Sequence, residues 1–445
     1  MSKFLSFTLW FAVFSLAFEL PFVQIAGQGL KLWMIAGVLA LFILLQKFIK
    51  NGFTFIKQSK ILLFGSFFLL FSLIGLINSP QKIYSLKQVA ILTVLLGLGI
   101  FFELYAKNRQ RIVLSALATG LFFSSLVAIY QNIAFNHNWL NFEFMPARPN
   151  AFLPEPDWLG FYLVLGLIPF LIWVDKEREK SKLPHLLKRT CSFYAFITVI
   201  FIAIIISVAR ASWLALIAEI IILLGFRAWV KYQKSHRFLP SFKLKIRLFS
   251  IFLTVFLASY LLISLFQLSR FNLADRFRSI FFREHIITLA QNPVTGEKRK
   301  INLEEKDFYS QKGYTLLEDY ATDENVVSRG ARATSAIDLI KEHPLLGSGQ
   351  GATLIATNFE HNANNLFLEW WVSAGLGGLL TFLGLLLFLT QKALLNLKKN
   401  PISASLILIG LVGFSIVNLF NASIFLAFAW FFLAFLFSHT KNLTK

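Results

Sequence analysis

SFYAFITVIFIAIIISVARASWLALIAEIIILLGF, residues 192–226, holds two charged side chains, Arg210 and Glu219, in an otherwise apolar run. Crossing ~30 Å of hydrocarbon at 1.5 Å per helical residue takes about 20 apolar residues. Spans as short as about 17 residues occur, so the run has room for two short passes, with Arg210 at the turn between them. Across the 445 residues, 56% are hydrophobic, 16% aromatic and 15% charged, and mean hydropathy is +0.65. Soluble domains carry about 25% charged residues, so a water-soluble globular protein is excluded. The expected fold class is an all-α polytopic membrane protein. Twelve apolar stretches fall near 4–26, 30–46, 61–78, 87–105, 112–135, 158–174, 192–209, 211–226, 248–267, 364–390, 402–419 and 422–438.

The formal charge of +20 would suggest nucleic acid if read alone. Its distribution gives another reading. With the N-terminus in the cytoplasm, 26 of the 43 Lys and Arg fall on the termini and internal connections, against five on the short external ones: Lys31, Lys82, Lys87, Arg148 and Arg210. This is the positive-inside pattern, and the excess charge attracts anionic membrane lipids. Both termini are expected in the cytoplasm, and nucleic acid is not expected as a partner. No small-residue cleavage pattern follows the first apolar stretch, which is expected to remain as the first span.

A long external segment interrupts the pattern. The chain divides into 1–267, carrying nine spans, a loop domain at 268–360, and 361–445, carrying three more. The loop opens with LSRFNLADRFRSIFFREHIITLAQNP, where Leu273, Phe277, Ile280 and Phe281 recur at helical spacing; this predicts a helix lying along the membrane surface. A polar stretch follows to about Asn325. SRGARATSAIDLIKEHP then predicts a helix ended by Pro344, with GSGQG at 347–351 as the loop after it.

Candidate chemistry gathers at the external ends of the spans. Arg210 is a fixed cation at the membrane edge, and a guanidinium suits phosphate oxygens through its planar pair of donors; the alternative is an arginine reaching to lipid headgroups. Arg329 and Arg332 return to the same surface, either as solvated charges or as further arms of a diphosphate clamp. RPNAFLPEPDWLGFYL brings Arg148, Glu155 and Asp157 to the external connection before the sixth span. Its carboxylates either orient a glycan and pair with arginines or serve as turn residues. His361 opens HNANNLFLEWWVSAGLGG, with Asn364 and Asn365 at i+3 and i+4 on one helical face. An ordinary imidazole pKa of about 6.5 suits a general base. Glu219, in mid-span, reads as a packed carboxyl or as a proton site.

Other chemistries lack their residues. A single cysteine, Cys191, excludes an intrachain disulfide and a CxxC pair. GSGQG reads as a turn rather than a phosphate cradle, because no Lys-Ser/Thr follows it. No nucleotide loop or closely spaced aspartate pair occurs, so no cofactor and no metal are expected.

Four of these stretches resemble the bacterial O-antigen ligase and polymerase superfamily of integral membrane glycan transferases. RPNAFLPEPDWLGFYLVLGLIPFL looks like its acidic-Pro-Asn-x-x-Gly segment, with Asp157 where Asn is usual. ISVARASWLALI is similar to its Ser-Arg motif, with Ala209 before Arg210. SRGARATSAIDLIKEHPLLGSGQG resembles its Arg-helix-Pro-x-x-Gly-x-Gly segment, with Arg329 at the family's Arg and Ala333 where an aromatic is usual. HNANNLFLEWWVSAGLGGLL looks like its His-Asn segment; aligned on GLGG, the pair falls on Asn364 and Asn365, and His361 lies three residues earlier.

The resemblance implies a glycosyltransferase-C-like helical fold in the bacterial inner membrane and an active site outside the cytoplasm. It implies an undecaprenyl-diphosphate-linked glycan as donor and a lipid or glycan acceptor, without metal or nucleotide. Arg210 and Arg329 would hold the leaving diphosphate, with Arg148, Glu155, Asp157, Arg332, Asn364 and Asn365 around the substrates and His361 as the base. A ligase delivering the glycan to a lipid acceptor is the first expectation, a polymerase joining carrier-linked repeat units the second. A transporter or flippase, with Glu219 as its proton site, is the alternative of another class.

Overall fold

The computed structural model describes residues 2–25, 28–52, 59–142, 145, 147–179, 190–235, 238–282, 284–293, 295–301, 306–322, 324–357 and 363–440. Each of the twelve apolar stretches contains a helix. In chain order these are α1 (Ser2–Ser15), α2 (Leu32–Asn51), α3 (Lys60–Gly75), α4 (Lys82–Tyr105), α5 (Gln110–Asn136), α6 (Pro156–Glu179), α7 (Thr190–Ile206), α8 (Arg210–Ser235) and α9 (Phe238–Leu265). After the long segment, which holds α10 (Leu273–Phe282), α11 (Lys306–Gln311), α12 (Glu324–Glu342) and α13 (Ala352–Ala356), come α14 (Leu366–Leu395), α15 (Pro401–Asn418) and α16 (Ala427–Thr440). Among the described residues, eight helices are long and apolar enough to cross a membrane and four apolar helices are shorter. The protein is a mostly helical polytopic membrane protein.

Burial ranks the spans. The Pro156–Val174 part of α6 is 89% buried, against 28% for Lys60–Asn78 and 33% for Leu32–Asn51. The first is thus the central helix, and the others turn exposed apolar side chains such as Ile49, Phe67 and Leu70 outward. An apolar surface of that kind is stable in lipid, where every backbone group is bonded within the helix.

Helix ends alternate as the topology predicts. At one end, Glu19 N donates to Phe152 O at 2.9 Å, and Arg148 Nη2 to Ser207 O at 3.3 Å. Asn78 Nδ2 donates there to Gly347 O at 3.0 Å, and Asn365 Nδ2 to Leu419 O at 3.1 Å. The connections expected outside therefore meet one another. At the opposite end, Glu103 caps α3: it accepts from Ser59 Oγ at 2.6 Å and from the backbone N–H groups of Lys60 and Ile61 at 3.0 Å each.

Three expectations are corrected. The first span does not run from 4 to 26. Its helix stops at Ser15, and a short antiparallel hairpin pairs Val23–Ile25 (β1) with Gln28–Leu30 (β2). The reason is Glu19, fully buried, which accepts from Lys31 Nζ at 3.1 Å, Trp33 Nε1 at 2.8 Å and Ala427 N at 2.7 Å. Bonding these partners turns the chain away from the helix axis, and Pro21 could not have continued the helical ladder.

The long segment, secondly, is not helices and polar coil alone. Helix α10 forms where predicted, but Glu284–Gln291 (β3) is the centre of an antiparallel sheet between Lys298–Ile301 (β4) and Thr315–Thr322 (β5). Short apolar runs such as HIITLA suit strand and helix alike until a pairing partner is known.

The tenth span, thirdly, is broken. Ala374 (φ −132°) and Gly375 (φ 64°, ψ −169°) leave the helical region inside α14. The interrupted backbone groups are bonded by the loop after α12: Leu376 N donates to Pro344 O at 3.0 Å, and Ser348 N to Val372 O at 2.7 Å. Irregular backbone at membrane depth is tolerated where protein satisfies it in this way.

Candidate functional site

The RPNAFLPEPD connection is held from behind by α5. Gln131 Oε1 accepts from the backbone N–H groups of Asn150 and Ala151 at 3.1 and 2.7 Å. Asp157 then falls in the first turn of α6, where the helix dipole favours a carboxylate. Arg148 Nη2 donates to its Oδ1 at 2.8 Å, and Arg329 Nη2 donates to its Oδ2 at 3.1 Å. One carboxylate thus bridges two guanidinium groups from distant parts of the chain. All three side chains are only partly exposed, at 21% for Arg148, 20% for Asp157 and 32% for Arg329. Water screening is weaker there than at an open surface.

Arg148 also reaches the turn before α8, with Nε and Nη2 each 3.3 Å from Ser207 O. Val208 in that turn has φ 53°, the left-handed region, so the chain reverses sharply before Arg210 opens α8. Gly160 lets the two helices close: a Cβ there would lie 2.7 Å from Ala209 Cβ and 2.8 Å from Ser212 Oγ. Arg210 therefore begins its helix beside the turn of α6 that carries Asp157.

Glu155 completes the cluster. Burial pushes its carboxyl above the usual carboxylate range, and Asp157's negative charge pushes it further; Arg148, Arg332 and Arg329 pull the other way. Arg148, Glu155, Asp157, Arg329 and Arg332 are thus brought together, with three guanidiniums to two carboxyls.

The asparagines do not lie on one helical face as their spacing predicted; both have non-helical backbone just ahead of α14. Asn365 caps it, with Oδ1 accepting from Phe367 N at 2.9 Å and Leu368 N at 3.1 Å. Asn364 has φ 51°, and its Nδ2 is buried without a hydrogen-bond partner among the described residues. His361 lies outside the described residues. The turn is tied to the arginines through α12: Ala336 and Ile340 share an apolar cluster with Ala352, Ala363 and Val372, and Ala336 is one helical turn, about 6 Å, beyond Arg332.

GSGQG is a packing turn. Gly347, Gly349 and Gly351 have φ of 77°, 87° and 79°, all buried. A Cβ on Gly347 would lie 2.5 Å from Gly375 N, and one on Gly349 would lie 2.8 Å from Ser79 Cβ. The loop fills the break in α14 rather than opening to a ligand. Glu219 is fully buried against Gly413 of α15, with neither carboxyl oxygen hydrogen-bonded among the described residues. The sequence reading passes over Glu369, a buried acid in the first turn of α14; an acidic residue inside an apolar run is the signal that marks it.

A bundle of apolar helices with a part-buried arginine and carboxyl cluster where its connections meet defines the class: a polytopic membrane protein. Residues 193–383 match the family model described as O-antigen ligase, so this stretch of the chain is similar to that family. The matched stretch includes Arg210, Arg329, Arg332 and residues 361–365, and it leaves Arg148, Glu155 and Asp157 outside. Among curated proteins, none matches the chain.

Proposed function

We propose that the chain is a glycan ligase, moving a glycan from undecaprenyl diphosphate to a lipid acceptor on the extracytoplasmic side of the bacterial inner membrane. The observation that carries this reading is the double ion pair of Asp157 with Arg148 and Arg329. It gathers guanidiniums beside Arg210 at a membrane edge, where a polyprenyl carrier would present its diphosphate. Bonding between Arg148 and the loop ahead of Arg210 supports including Arg210 in the same clamp.

In the reaction, an acceptor hydroxyl oxygen attacks the anomeric carbon as the bond to the diphosphate oxygen breaks, with inversion. A base close ahead of α14 in sequence, assigned to His361, takes the hydroxyl proton. The bond's electron pair leaves with the diphosphate, whose added negative charge the arginines stabilise more strongly in the transition state than in the ground state. Asp157 and Glu155 hold the guanidiniums in place before substrate arrives. Arg332, Asn364 and Asn365 are assigned to the substrates' surroundings, Asn365 through its cap on α14. Guanidinium supplies the positive charge, so activity is expected to be independent of metal and to survive EDTA.

The test is incubation of the purified protein with carrier-linked glycan, with and without lipid A core. Transfer that requires the core supports the ligase. Lengthening of the glycan without the core would replace it by the polymerase reading, and an unchanged glycan would remove both.

A further inference from the structure

Glu369 is 1% exposed and takes hydrogen bonds from three separate pieces of chain. Thr353 Oγ1 lies 3.0 Å from Oε1 and 2.9 Å from Oε2, Ala363 N lies 3.1 Å from Oε2, and Ser373 Oγ lies 3.4 Å from Oε1. Three donor groups reach this carboxyl, the Thr353 hydroxyl being shared between both oxygens, and they offset part of the cost of burying it.

The position of these bonds matters more than their number. Ala363 is two residues from His361 and directly precedes Asn364, whose φ of 51° is strained for a side chain other than glycine. A strained turn persists where its surroundings over-determine it. Glu369 holds this one from the membrane side, and the Asn365 cap holds it from the helix. Through Thr353 the same carboxylate grips α13, and Ala352 of α13 packs in one cluster with Ala336 and Ile340 of the arginine-bearing helix.

We propose that Glu369 is a positioning residue for glycan transfer, fixing Ala363–Asn365 ahead of α14 so that the acceptor and the diphosphate meet in line. The inference rests on reading 361–365 as the acceptor side of the site. Glu369 itself touches neither substrate. A Gln at this position keeps the shape but offers one acceptor oxygen in place of two, and it turns an N–H group toward Ala363 N or Thr353.

Glu369→Gln is expected to lower kcat about tenfold or more, since misplacement by about 1 Å can cost on the order of a hundredfold. KM for the carrier-linked glycan should stay within about twofold, because the substitution leaves Arg148, Asp157 and Arg329 untouched. Glu103→Gln is the control: it is equally buried, caps α3 at the opposite end, and should lower Tm without changing kcat per folded molecule. A second readout needs no activity. In a Cys191→Ser background, Asn362→Cys is labelled with a membrane-impermeant maleimide, and adding Glu369→Gln should change the labelling rate about fivefold or more, in line with a displaced turn. Should Glu369→Gln fail to fold, Thr353→Val, which removes one donor, replaces it and should give smaller changes in the same directions. Unchanged labelling, or a loss confined to Tm as in the control, would overturn the proposal. If the wild-type protein transfers no glycan, the ligase reading fails, and the labelling arm alone decides whether Glu369 sets the turn.

Discussion

Asp157 and Arg329 are 172 residues apart in sequence and 3.1 Å apart in space. The same carboxylate holds Arg148 through its other oxygen at 2.8 Å. The central helix of the bundle thus carries at its tip the group that collects arginines from an inter-span connection and from the long loop. In the proposed function this cluster is organised before any anion enters it, and such preorganisation is what makes charge stabilisation effective in catalysis.

Replacing either of two arginines should test the clamp. Arg329→Lys and Arg210→Lys keep the charge and lose the planar donor pair, and each should lower turnover about 100-fold, by analogy with losing one oxyanion donor. Folding should survive both. Initial rates in membranes at matched expression give the answer, and wild-type rates in either variant would strip that arginine of its role.

For His361, a base must be neutral to accept a proton. The rate should therefore fall as pH drops through the ordinary imidazole value, about 6.5, and His361→Ala should lose both activity and that acidic limb. Asn364→His in the His361→Ala background places a ring three residues along the chain. Rescue would locate the base in this connection; full activity in His361→Ala alone would remove it from the mechanism. His343, at the end of α12, is the control and should show at most a loss of stability on replacement.

Glu155 makes stability depend on pH in an unusual direction for a carboxyl. Its folded pKa lies above the ordinary value of 4.5, through burial first and Asp157's charge second. Between these two values the folded protein holds more proton than the unfolded chain, so stability falls as pH rises through the window. Glu155→Gln should therefore raise Tm at pH 8 and leave it little changed at pH 4. A variant that melts lower than wild type at pH 8 would contradict this account.

Gly375 is required by the break in α14. A Cβ there would fall on the carbonyl of Leu345, and φ is 64°. Gly375→Ala should cost about 2–4 kcal/mol from strain and overpacking together, read as a lower Tm in detergent. Gly225, whose surroundings are open, is the comparison, and Gly225→Ala should be neutral or slightly stabilising. Equal melting of the two variants would show that the break tolerates a side chain.

Much of the architecture is legible in residue order because a membrane imposes a local rule. Every backbone polar group must be bonded within its own segment, so a long apolar run has few choices but a helix. The stretches at 192–209 and 211–226 needed no partner to be read, and the same holds for α12, ended by Pro344. Candidate residues were legible as types for a related reason, since Arg210 and Asp157 stand out in or beside apolar surroundings, while Arg329 was marked by its place in the helix ahead of HPLLGSGQG. What residue order could not state is which of them meet. Asp157 bridging Arg148 and Arg329, Glu19 ending α1 to cap α16, Gly347 seated in the broken α14 and Glu369 gripping Ala363 are contacts between distant segments. Their partners are specified by the packing of the whole bundle. Apolar periodicity and spacing reach one helix or one turn at a time. The arginine and carboxyl cluster is made where the connections before α6 and α8 meet the long segment, and only the tertiary structure brings them there.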